Sequence, residues 1–493
     1  MSDNGGSRRR SGRNGGLPAG LALLLALSAG AAGQSQERFR RSQPNPDPLP
    51  ELGLPAVETH RLSNGLRLAV VRRDSLPLLS LQLLILAGEA QSPPDRPGTA
   101  TLTARMITQG TELISAEDVQ NRIEALGAEL TVATRLDYTL FGLNVLDDQF
   151  ERALTLLAPL FQQPAFPKRD LDAVKRTLRY TLLERNQDPA VLAKRQLLHL
   201  LFPNHPYRNG LFADDALRAV EREHVQAFYD AYYRPNNAVL VLCGAIGLST
   251  ATGRVSQHLN TWAPKDLPPP PLAPVLPEPV PRVCLVDLPQ SRDATLAIGA
   301  VVGPAGAPDA LPLEILSQVL GGTPTSRLFM ELRETKGYAF YAFSELELYR
   351  SCGLFLIRAR VQPEFSGASI RSILAEVERA VTEPLPSYEI EQAKSRLIGN
   401  VPLRFEAFDR LALRVAEIHA FNLNEADWSR PYESIMLVNA EAVHAAALKT
   451  PLRTPVVVIV GDKSVVLDHL QDFKTVEVYN VKGVFQYNVT RGG

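Results

Sequence analysis

Residues 98–111 read GTATLTARMITQGT, an apolar helical segment that opens on a glycine-rich turn and closes on Gly110 and Thr111. It follows LSLQLLILAG, read as a strand ending at Gly88, and a turn rich in Pro, Asp and Gly. The second half of the chain repeats that order: TLAIGAVVG ends at Gly303, and a helix from Leu311 to Leu320 ends at Gly321. A third landmark, a proline-marked turn leading into a β-branched strand closed by glycine, occurs as RPNNAVLVLCG to Gly244 and LRTPVVVIVGD through Gly461. The three offsets are 215, 211 and 217 residues, which implies duplication of a unit of about 210 residues.

The 493 residues, 45% of them hydrophobic, exceed what one core usually supports, in keeping with two halves. Strand patterns (LRLAVV, AELTVA, DYTLFGLNVL) mix irregularly with amphipathic helices such as Glu117 to Leu126 and Leu171 to Glu184. The expected fold class is therefore α+β: two homologous halves, each a mostly antiparallel sheet with helices on one face. PKDLPPPPLAPVLPEPVP, residues 264–281, is too proline-rich for a helix and reads as an extended linker. The expected organisation is a signal peptide at 1–33, a polar Pro-rich lead-in at 34–55, halves at 56–263 and 282–493, and the linker between them.

Arg8, Arg9, Arg10 and Arg13 precede a leucine-rich run from Leu17 to about Ala29 and the small residues Gly30 to Gly33. This is the pattern of a secretory signal cleaved near Ala32, so a secreted or periplasmic location is expected, with membrane attachment only through an uncleaved anchor. Removal of residues 1–33 leaves 48 basic against 52 acidic side chains, which argues against a nucleic-acid partner. Cys243, Cys284 and Cys352 lie far apart among apolar residues and read as buried free thiols.

The order of motifs resembles the pitrilysin/insulinase family of inverted-motif zinc peptidases over nearly the whole mature length. HRLSNGLRLAVVRR resembles its opening strand pair, PGTATLTARMITQGT its metal helix, and LGAELTVATRLDYTLFGLNVL its edge-strand region. LFPNHPYRNG and AFYDAYYRPNNAVLVLCG resemble later landmarks of the same unit, and SRLFMELRETKGYAFYAFSE, residues 326–345, the substrate-contacting segment of the second half. The resemblance implies two halves facing each other as a clam, and metal-assisted hydrolysis of a peptide bond. In that chemistry two histidines and a glutamate hold zinc while a second glutamate takes a proton from the attacking water.

The positions that carry H-x-x-E-H in the family hold Thr101, Ala104 and Arg105 here, and the later ligand position holds Thr181, with Glu184 one turn on. Threonine, alanine and a permanently cationic arginine supply no zinc donor. The eight histidines, at 60, 199, 205, 224, 258, 419, 444 and 469, include no two that are three or four residues apart. A helical two-histidine site is therefore excluded. His205, in NHPY, reads as a turn or packing residue.

In the second half the resemblance implies an arginine, and a tyrosine seven residues later, on the substrate backbone. Arg333 fills the first position and Phe340 the second, with Tyr341 expected on the opposite face of the strand. The alternative for Arg333 is a surface ion pair with Glu331 or Glu334. At the edge strand, Thr131 and Val132 replace the usual asparagine and alanine, although backbone pairing with an extended peptide needs neither. The expected role is a zinc-less, non-catalytic subunit working with a related zinc-bearing peptidase chain on a peptide substrate. A peptide- or protein-binding assembly protein of the cell envelope is the alternative. No cofactor is expected in this chain, zinc belonging to the partner.

Overall fold

The computed structural model describes residues 55–269, 282–423 and 431–491, and Leu54–Gly493 form one compact body. The signal segment, nearly all of the lead-in and most of the Pro-rich linker lie outside the described residues. Among the described residues no helix is long and apolar enough to cross a membrane.

The strands are β1 Val57–Arg61, β2 Arg67–Arg72, β3 Leu78–Ile85, β4 Leu130–Thr134, β5 Thr139–Leu146 and β6 Ala238–Gly244, followed by β7 Arg282–Asp287, β8 Ala294–Val302, β9 Ala339–Leu348, β10 Gly353–Val361, β11 Val456–Gly461, β12 Thr475–Asn480 and β13 Phe485–Thr490. They form two mixed sheets, ordered β1-β2-β6-β3-β5-β4 and β13-β12-β7-β11-β8-β10-β9. The duplication is visible strand by strand. β2 pairs parallel with β6 as β7 does with β11, and the antiparallel run β6-β3-β5-β4 is matched by β11-β8-β10-β9. β6 (AVLVLCG) and β11 (VVVIVG) are buried at every residue, as a strand covered on both faces must be.

Helices of seven residues or more are α1 Thr99–Ile107, α2 Ala116–Ala125, α3 Phe150–Gln162, α4 Lys168–Arg185, α5 Pro189–Leu201, α6 Arg222–Tyr232 and α7 Leu248–Leu259 in the first half. Those of the second are α8 Ala310–Gly321, α9 Ser366–Thr382, α10 Ser387–Phe405, α11 Phe408–Phe421, α12 Pro431–Leu437 and α13 Ala440–Leu448. This is the α+β architecture read from the sequence, with one addition. The second face of each sheet is covered by a helix from the other half. α5 lays Leu192, Leu197 and Leu201 against Cys284, Ala297, Leu354 and Val458 of the second sheet. α11 lays Leu411, Val415 and Ala416 against Val71, Leu84 and Val241 of the first. Each buried leucine or valine is worth about 2 kcal/mol, so the exchange is a main source of cohesion between the halves. Close approach requires Gly299 on β8, where a Cβ would stand 2.9 Å from Leu197 Cδ2.

Polar ties reinforce the exchange. Tyr207 Oη, with no exposed surface, donates to Asp137 Oδ1 at 2.6 Å, lies 2.8 Å from Ser351 Oγ and accepts from Ser351 N at 3.1 Å. Arg350 N donates to Asp137 Oδ2 at 2.8 Å, so the β9–β10 turn of the second half is held by two residues of the first. Arg195 of α5, almost fully buried, donates to Val481 O at 2.5 Å in the β12–β13 turn. Within the first half, Asn64 Nδ2 donates to Leu259 O at 2.7 Å and Trp262 O at 3.1 Å, while its Oδ1 accepts from Leu66 N at 3.2 Å. Asn64→Ala leaves the Trp262 carbonyl and the Leu66 amide without a partner and Leu259 O with Trp262 N alone, and is expected to lower stability by about 2 kcal/mol in urea unfolding.

Candidate functional site

α1 begins after Gly98, whose left-handed backbone (φ 92°) turns the chain into the helix, and it packs against α4 and β4. Along it, Thr101 is half-buried, Ala104 fully buried and Arg105 exposed; on α4, Thr181 and Glu184 are exposed. Arg105 stands in the last turn of α1, where a cation suits the helix dipole, and Thr181 Oγ1 donates back to Thr177 O at 3.3 Å.

Sequence reasoning missed the carboxylate at this place. Glu89, 4% exposed, accepts from Ser92 Oγ at 2.9 Å, from Gly98 N at 3.0 Å, from Thr101 N at 2.9 Å and, more closely still, from the Thr101 hydroxyl. The side chain at the first family ligand position is thus spent on a neighbouring carboxylate that caps the free amides of α1. Burial outweighs these hydrogen bonds and pushes the Glu89 carboxyl above the usual glutamate range. Arg185, one turn beyond Thr181 on α4, is close enough to feel the Glu89 charge, although burial sets the downward direction of its own pKa. A glutamate following a strand-closing glycine and twelve residues ahead of Thr101 was the available signal.

Zinc does not fit these residues. They offer two carboxylates, Glu89 already saturated with donors and Glu184 exposed, and no imidazole or thiolate. Among the described residues no three of His, Cys, Asp and Glu form a group able to hold a metal. His205 packs edge-on against Tyr207, its Nδ1 accepting from Tyr207 N at 3.3 Å, as expected of a packing histidine. The three cysteines are buried and unpaired, and burial raises all of their thiol pKa values, those of Cys243 and Cys352 to about 12.

In the second half, residues Met330–Thr335 form a single π-helical turn that delivers Arg333 to the start of β9. Arg333 Nη1 donates to Phe340 O at 2.5 Å, its guanidinium lies 5.2 Å from the Phe329 ring centre, and Nε is 3.5 Å from Glu334. Glu331 pairs with Lys336 instead. Phe340 is 47% exposed beneath the Arg360 guanidinium and Tyr341 stacks on Phe343; a bulge at Phe340 sets both aromatics against Arg360, on one face of β9 rather than on the opposite faces that simple alternation predicts. β4 and β9 are each the last strand of their sheet. On β4 the exposed Thr131 bonds Gly142 O at 3.1 Å, while Val132 turns into the core. The arrangement offers strand edges for an extended peptide, with no metal-holding group beside them among the described residues.

Comparison with known proteins bears on the same points. A profile for "Insulinase (Peptidase family M16)" matches residues 68–215, and one for "Peptidase M16 inactive domain" matches residues 219–397. The chain is 23% identical over 417 residues to an uncharacterized zinc protease of Streptomyces coelicolor, covering 83% of this chain and 91% of that protein. It is 25% identical over 358 residues to a protein of Helicobacter pylori described as a non-peptidase homolog, covering 71% and 81%. A crystal structure titled as the peptidase M16 inactive domain from Pseudomonas fluorescens superposes with TM-score 0.76 at 22% identity, covering 83% of this chain and 98% of that one.

Proposed function

The chain belongs to the insulinase family, peptidase family M16, and from that premise we propose that it is the zinc-less subunit of a secreted or periplasmic peptidase. Its partner is a related chain bearing H-x-x-E-H, which supplies the zinc and the catalytic glutamate. This chain supplies chamber wall and peptide contacts along β4 and β9. The observation that carries the reading is the metal helix kept in place while its first ligand position is bound to Glu89. The fold is retained and the chemistry is not.

Affinity capture of the tagged mature protein from its native envelope, with zinc analysis of the complex, tests this. The expected result is a zinc-loaded relative whose chelator-sensitive cleavage of peptides needs both chains. Recovery of this chain alone or with unrelated envelope proteins, without zinc, would overturn it. In the complex, Arg333→Ala is expected to lower kcat/KM about tenfold, because the guanidinium both orders β9 and presents donors at the strand edge.

One observation favours a second reading, a binding or assembly protein of the cell envelope that has kept the fold without supporting proteolysis. Arg333 is turned onto Phe340 O of its own chain, and Phe340 lacks the hydroxyl of the family tyrosine. Capture of the chain with envelope proteins and without a zinc-bearing relative would favour that reading.

A further inference from the structure

The repeat leaves one corner filled in the first half and open in the second. In both, the loop after a strand-closing glycine is pinned to the turn that follows the edge strand: Glu89 N donates to Arg135 O at 2.9 Å, and Ala305 N to Tyr349 O at 2.8 Å. Glu89 then fills the first corner with its carboxylate. In the second, residues 303–307 read GPAGA, none with a side chain larger than the proline ring. What remains is a cavity of about 300 Å³ between the end of β8, the first turn of α8, the β9–β10 turn and the residues after α13. That volume stands at the lower end of small-ligand sites, roughly 300–1,000 Å³.

We propose that this cavity binds a free apolar α-amino acid, its side chain inside and its ammonium and carboxylate at the mouth. Three observations select that ligand. The first is the wall, built mainly from Val301, Val302, Pro304, Ala307, Leu313 and Pro451. Its two hydroxyls are already engaged: Ser351 Oγ lies 2.8 Å from Tyr207 Oη, and Thr450 Oγ1 donates to Ala447 O at 2.8 Å. A polar group on the inner end of a ligand would lose its water against such a wall, whereas an apolar side chain gains by burial.

The second is charge. The only charged side chains lining the cavity are Asp309 and Lys449, 35% and 66% exposed. Their contact is loose, Lys449 Nζ standing 3.3 and 3.4 Å from the two carboxylate oxygens, against about 2.7–2.9 Å for a close charge-assisted hydrogen bond. An anion alone would draw Lys449 off Asp309, and a cation alone would draw Asp309 off Lys449; each strands one charge. A zwitterion completes both. The third is spacing. The two charges face each other directly, which suits an ammonium and a carboxylate borne on one carbon atom. In a dipeptide the termini are carried on separate Cα atoms, about 3.8 Å apart.

The test uses the purified full chain without any partner, so it is independent of the zinc-bearing subunit. Calorimetric titration with L-valine, L-leucine and L-phenylalanine in turn is expected to show a single saturable site for at least one of them. For that amino acid, the amide, which lacks the carboxylate, the N-acetyl derivative, which lacks the ammonium, and the dipeptide with a following glycine are each expected to bind at least tenfold more weakly. Asp309→Asn and Lys449→Gln, at the solvent-facing mouth, are each expected to weaken binding at least tenfold with unfolding midpoints unchanged. Ala307→Leu, which adds bulk inside the cavity, is expected to abolish it. A chain that binds none of the three amino acids overturns the proposal. So does an affinity unchanged in both Asp309→Asn and Lys449→Gln, or an amide and an N-acetyl derivative that bind as tightly as the zwitterion.

Discussion

Glu89→Ala is expected to lower the free energy of unfolding by about 3 kcal/mol, read as a lower urea midpoint at unchanged slope. The substitution strips Gly98 N and Thr101 N of their acceptor inside the protein and leaves the Ser92 and Thr101 hydroxyls to find others. The loss has a signature in pH. Because burial holds the folded carboxyl above its unfolded value, folding favours the protonated form. Glu89 therefore contributes most below the ordinary glutamate pKa of about 4.3, and its contribution falls as pH rises through the raised value. The neighbouring hydroxyls can turn to accept the added proton. Glu89→Gln, which cannot ionise, is expected to cost less than alanine and to flatten that part of the pH profile.

Asp137→Ala is expected to cost a similar amount, about 3 kcal/mol, by a different route. It removes the acceptor of the Tyr207 hydroxyl and of Arg350 N at the seam between the halves. Burial raises the Asp137 carboxyl, so its contribution is likewise full below the ordinary aspartate range and declines as pH rises through the raised value. The measurement that separates the two sites is limited proteolysis. Loosening the seam is expected to expose the β9–β10 turn around Arg350 to trypsin, while Glu89→Ala, which frees the first turn of α1, is expected to expose the bond after Arg105.

The repeat of strand, turn and helix was legible in the sequence because glycines at 88, 110, 303 and 321 punctuate it at a nearly constant offset. The lack of zinc donors at the family's metal positions was legible because it is a matter of residue type alone: Thr101, Ala104, Arg105 and Thr181 carry no imidazole, thiolate or carboxylate whatever surrounds them. The second-half arginine was legible as a position, but not its engagement with Phe340 O, which depends on a π-helical turn. Glu89 was not legible as a cap, since its partners lie 3 to 12 residues away across a loop. The Asp137–Tyr207 pair joins residues 70 apart, and no local pattern announces such a contact. The helix exchange did leave a trace. PAVLAKRQLLHLL buries eight of its thirteen residues, more than a helix lying on one face of a sheet requires.

That exchange also bears on how the protein is made. The first sheet is complete in sequence at Gly244, yet the helix that covers its outer face is read out only at residues 408–421. A ribosome adding residues one by one leaves that apolar face bare for more than a hundred and sixty codons, during which a nascent-chain holdase has a surface to grip. The last sixth of the message therefore carries the lid for a sheet completed in its first half, and a transcript truncated before residue 408 yields a sheet that its own chain cannot cover.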